Sequence, residues 1–130
     1  MDMLSHQGQA AEAVTMLASL SAAATVNATS AWIDVRKYEG DLVIVSNIGI
    51  ITGTITPTIE DATDGAGAGA AGVTPTEGAF TVVTTSNDPL QEKRTIPAGS
   101  VRGWIRYVGT IATGPALVGV TLLSHPKYTA

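Results

Sequence analysis

The chain has 130 residues and a mass of 13.2 kDa, enough for one domain and too little for a second catalytic one. Charged residues make up 14% of it, against roughly 25% in ordinary soluble proteins, while hydrophobic residues reach 45% with only 5% aromatic. A net charge of −4 excludes the broad positive field that draws proteins onto nucleic acid, and the absence of Cys excludes disulfides, thiolate nucleophiles and Cys-based zinc sites.

The first basic residue is Arg36, so the N-terminal stretch lacks the positive region of a secretory signal. No stretch reaches the roughly 18 uninterrupted apolar residues of a membrane helix. Synthesis in the cytoplasm, without a membrane partner, is the expectation.

The segment Gln9–Ala24 has two readings. Ala, Glu, Met and Leu favour a helix, with Ala10, Val14, Leu17 and Ala18 on one face, but scattered Ser and Thr and the β-leaning sequence that follows favour an extended arm. Residues 1–24 are therefore assigned to an arm, extended or a short helix, and residues 25–130 to the main domain.

From Thr25 onward the pattern is that of strands. Ala31, Ile33 and Val35 alternate with Trp32, Asp34 and Arg36, and after the turn Glu39-Gly40-Asp41 the apolar run Leu42–Val45 predicts a strand buried on both faces. Ile55, Pro57 and Ile59 alternate with Thr54, Thr56, Thr58 and Glu60. Pro57 donates no ladder hydrogen bond and so predicts an edge or a bulge. Residues 61–75 read as a mobile Gly/Ala loop. Strand character returns at Ala79–Thr84, at Gln91–Ile96, around Trp104 and at Ala116–Ser124, with turns at Ser86–Pro89, Pro97–Ser100 and Thr113–Pro115. Seven or eight short strands predict an all-β fold, an antiparallel β-sandwich of jelly-roll type.

Motifs that carry chemistry are weak. Gly67–Gly72 spells GxGxxG, but a dinucleotide site needs those glycines between a strand and a helix, and a strand follows here. Glu60, Asp61 and Asp64 have carboxylates suited to a hard cation but lack the ligand count of a calcium loop. Asp34 and Glu39 read as surface and turn residues, and His6 and His125 lie near the two ends without fellow ligands. Asn27-Ala28-Thr29 matches a glycosylation acceptor by chance, and no GxSxG appears. No catalytic, cofactor-binding or metal-binding residue, and no cofactor, is assigned.

The candidate contact surface is the strand from Arg102 to Val108. Period-2 geometry puts Arg102, Trp104 and Arg106 on one face, and these residue types are enriched at interface hot spots. The competing reading places Trp104 in the core with the arginines reaching to water. Trp32 and Tyr38 complete the candidate set.

The series TVNATSAWIDVRKYEGDLVIVSNIG, GTITPTIEDATDG, AFTVVTT and RGWIRYVGTIATGPALVGVTLLS resembles the small jelly-roll cement, or head-decoration, proteins of tailed bacteriophages over about Thr25 to Ser124. Tyr38-Glu39-Gly40, the Gly53–Glu60 strand, Asp64-Gly65, Phe80-Thr81 and Arg106-Tyr107-Val108 carry the likeness, while the Gly/Ala loop and the Ala-rich N-terminal segment depart from it. The resemblance implies a structural, non-enzymatic virion protein on the outer capsid surface. Its partners would be the major capsid protein and itself, as a homodimer or homotrimer with the trimer favoured. The alternative is a carbohydrate-binding or adhesin-like sandwich that stacks ligand on Trp32, Tyr38, Trp104 and Tyr107.

Overall fold

A computed structural model of the chain describes residues 12–22, 28–113 and 115–126. It contains ten strands: β1 (Glu12–Ala22), β2 (Ala28–Thr29), β3 (Ile33–Asp34), β4 (Tyr38–Ile51), β5 (Thr54–Ala62), β6 (Ala71–Val73), β7 (Val83–Thr84), β8 (Leu90–Pro97), β9 (Trp104–Thr113) and β10 (Ala116–Pro126). A single 3-10 turn at Ala98–Ser100 joins β8 to the approach to β9.

The strands form two antiparallel sheets. The first runs β1-β10-β4-β8; in the second, β9 and β5 are central, with β2 and β3 beyond β9 and β6 and β7 beyond β5. The fold is therefore the all-β sandwich that the alternating pattern predicts. Residues 12–22 are extended, one of the two sequence readings, and hydrogen-bond to β10, which makes them the edge strand of the first sheet. Residues 1–11 and 23–27 of the N-terminal region, with His6 and Asn27, lie outside the described residues.

Strand alternation determines which side chains meet. From the first sheet Leu42, Ile44, Val118, Val120 and Leu122 point inward, and from the second Ile55, Ile59, Ile105 and Tyr107, all nearly inaccessible to water. Burial of each such side chain contributes roughly 1.5–3 kcal/mol, and β-branched Ile and Val suit the pleated surface. One buried polar contact spans the layers, with the Tyr107 hydroxyl 3.2 Å from Ser46 Oγ. The Tyr107 backbone N–H in turn donates to Ser30 Oγ at 2.9 Å.

Two sequence expectations resolve differently here. Leu42–Val45 is buried on one face only: Leu42 and Ile44 point into the core, while Val43 and Val45 stand half-buried on the outer face. Pro57 sits within β5 but has a strand on one side only, opposite Gly109 of β9. On the other side β7 ends at Ile55 and β6 starts at Ile59, so the missing N–H falls in the gap between them.

Candidate functional site

On β9 the inward residues are Ile105, Tyr107, Gly109 and Ile111, which turns Trp104 and Arg106 to the outer face of the second sheet. Trp104 is thus half-buried at the surface, and the core reading does not apply. The register then aligns partners across three strands. Arg106 lies opposite Glu60 of β5, and Trp104 lies between Asp34 of β3 and Ala62 of β5.

Each row closes as an internal contact. The Arg106 guanidinium donates to Glu60 Oε1 at 2.8 Å from Nε and covers the Trp32 ring at 4.6 Å from its centroid. Arg36 grips Asp34 with two hydrogen bonds, 2.8 and 3.0 Å, and lies 5.4 Å from the centroid of Trp104. The hydrogen bonds from Arg36 hold the Asp34 carboxyl down at about 2.

Arg102 falls just before β9. It turns to Asp61, which is 6% exposed, donating from Nη2 to Oδ1 at 2.8 Å and from both Nε and the backbone N–H to Oδ2. Those bonds lower the Asp61 pKa against the opposing effect of burial. The same Nη2 donates to the Gly69 carbonyl at 2.7 Å, which ties the Gly/Ala segment to the cluster.

The Gly/Ala segment folds as a strap. Residues 61–62 finish β5 and 71–73 form β6, which pairs back on Ile59–Asp61. Between them Asp64 Oδ1 accepts from the backbone N–H groups of Ala66 and Ala68 at 2.9 and 3.0 Å. The Thr63 N–H donates to the Ala68 carbonyl.

The alternate glycines sit where the strap crosses the rings. A Cβ at Gly65 would lie 3.0 Å from the Trp104 ring, and one at Gly67 would lie 2.8 Å from Trp32 Nε1. Gly67 also has φ +87°, a conformation that only glycine adopts without strain. At these two positions the smallness of glycine lets the backbone lie on indole.

Four of the five candidate residues, Arg102, Trp104, Arg106 and Trp32, are thus brought together, and Tyr38 is not. Tyr38 is buried in the core at the start of β4, where its hydroxyl donates to Glu12 Oε1 of β1 at 2.8 Å. Lys37 reaches the same carboxylate oxygen at 3.2 Å. Sequence reasoning missed Arg36, Asp34, Glu60 and Asp61 as members of the cluster. The Asp-x-Arg spacing at 34 and 36 was the available signal, since an Asp side chain readily accepts from the chain two residues on, as it does from the Arg36 N–H and guanidinium in the turn after β3.

Of the three acidic-loop residues, Glu60 and Asp61 are held by arginines and Asp64 by backbone N–H groups. His125 is exposed near the end of β10. Among the described residues, no group of three or more His, Asp or Glu is placed to hold a metal ion, and every buried side-chain N or O has a hydrogen-bond partner. No protein-family model matches the chain, and comparison with curated proteins gives no match.

Proposed function

We propose that the protein is a structural binding module, a jelly-roll cement subunit that sits on the outside of a bacteriophage head and stabilises the shell by repeated contact, without enzymatic activity. One observation carries the reading. The Trp32, Trp104, Arg36, Arg102 and Arg106 cluster uses its charge and hydrogen-bonding capacity on its own neighbours, so it presents a fixed surface in place of groups poised for a substrate. Such a surface suits docking onto another protein, because few side chains have to be ordered on contact. Beside it, Thr29, Thr58 and Thr110 extend the same outer face without charge, and hydroxyls form contacts without the cost of desolvating ions.

On a symmetric lattice, modest individual contacts add up when an oligomer engages several shell subunits. The test is co-sedimentation with empty shells of the phage before and after expansion. The protein is expected to pellet with expanded shells, and protein that stays in the supernatant with both forms overturns the reading.

The carbohydrate alternative requires open aromatic platforms. Tyr38 and Tyr107 are buried, and Trp32 and Trp104 are overlaid by guanidinium groups and by the glycine strap. Stacking on these rings would first require the strap to leave. Glycan-array binding that is lost on Trp32→Ala would favour that reading.

A further inference from the structure

The outer face of the first sheet is unfinished. Its rows run Ala13–Leu123–Val43–Thr95 and Thr15–Thr121–Val45–Lys93 across the four strands. Further along β10, Leu117 is 50% exposed, against 37% for Leu123, and beside it Ile50 is 66% exposed at a β-bulge. Val43 and Val45 belong to a run whose sequence reads as buried on both sides, yet among the described residues only one side is covered. A second cover is what the sequence pattern calls for.

We infer that this face binds the same face of a second copy of the chain, forming a two-fold dimer by sheet-on-sheet packing. Charge selects the occupant. The nearest outward charges, Asp41 and Lys93, stand at the margins, one of each sign, and the field between them carries none. A charged partner would find no counter-ion there, whereas a second copy brings an equally uncharged surface.

Size agrees. Four strands about 4.8 Å apart, with outward rows about 6.8 Å apart, give a footprint on the order of 500 Å² per copy, or roughly 1,000 Å² in total. That is near the lower bound of a specific interface and suits association at roughly micromolar concentration. Because each copy uses the same patch, the contact closes at two, which moves the oligomer expectation from trimer to dimer. The inference deepens the oligomer part of the cement reading, and it is tested on free protein, so its failure and that of shell binding are separately visible.

Sedimentation velocity of the full chain over about 2–200 μM tests it, a range that brackets association at the low end of interface size. A dimer is expected at the upper end, with Leu117→Glu and Thr121→Glu each weakening it at least about tenfold, as truncations at a small interface do. Val82→Glu, on an exposed apolar residue before β7 and outside this face, should leave it unchanged. Far-UV circular dichroism checks that each variant folds, and because the two substitutions are independent, loss of one to misfolding leaves the other decisive. A monomer throughout the range overturns the inference, as does a dimer that tolerates a folded variant at either position.

Discussion

The two outer faces of this sandwich reach opposite solutions to the same problem. A sheet has two sides, and packing the layers together covers only one side of each. On the second sheet the chain completes its own outer side: the strap at residues 63–70 lies on the indoles, and Arg36, Arg102 and Arg106 join strands that are far apart in sequence. On the first sheet nothing in the described chain crosses the outer side, and Val43, Val45, Leu117 and Leu123 remain at the surface. The difference shows how a protein with so few charges places them. On the second sheet Arg36, Arg102 and Arg106 neutralise Asp34, Asp61 and Glu60, while on the first the outward charges Asp41 and Lys93 stand at the margins of an uncharged field.

The sharpest way to break this contrast is to place the same substitution on both faces. Gly67→Ala puts a methyl group into the Trp32 ring at a positive φ, and is expected to cost about 3 kcal/mol. Chemical denaturation would give the loss, and a red shift in Trp fluorescence would show that the strap has lifted.

The next effect concerns the link between the faces. Burial pushes Tyr107 up to about 12, so it stays protonated in the fold while the unfolded chain ionises near pH 10. Across that interval the unfolded state binds fewer protons, and stability falls with rising pH. It starts to fall near pH 10, and the loss grows to roughly 2–3 kcal/mol as pH passes 12. Tyr38, also raised mainly by burial, adds to the same alkaline limb. Urea titrations between pH 8 and pH 12 on the wild type and Tyr107→Phe should differ in slope; parallel curves would assign the alkaline loss elsewhere.

Asp61→Asn comes third, at about 2 kcal/mol, since charge-assisted bonds to a buried acceptor are weakened while the shape is kept. It should also reduce the acid limb. Arg102 holds the Asp61 carboxyl below its ordinary value, so the stability it contributes is present above about pH 4 and is lost as pH falls through the folded-state pKa. Thermal melts at pH 7 and pH 3 that change equally in wild type and variant would contradict this.

Smallest of all is Gly49→Ala on the first sheet. Its new methyl would meet only the exposed Leu117 side chain at 3.2 Å, which can move aside, so under about 0.5 kcal/mol is expected. A loss comparable to that of Gly67→Ala would remove the distinction between the faces.

Much of the fold was readable because strand period is a local property. Ile55 and Ile59, and Ile105 and Tyr107, alternate with polar or outward residues in the sequence and do so in the sheets. The candidate cluster was half readable. Arg102, Trp104 and Arg106 are near neighbours in the chain, whereas their acidic partners Asp61 and Glu60 lie more than forty residues away, at |i−j| of 41 and 46, and only the β5–β9 register brings them close. Tyr38 was misplaced because an aromatic at a strand start gives no local sign of which layer it enters.

The sequence by itself determined the class of fold, the inward set of β-branched residues and the scarcity of charge, since each depends on residue type and a two-residue period. Tertiary structure decided what surrounds each outward side chain. It gave the glycines at 65 and 67 their purpose beneath a strap, gave residues 12–22 their place beside β10, and left Val43 and Val45 on an open face. These outcomes depend on which strands become neighbours, and that is settled by long-range pairing, which no local period encodes.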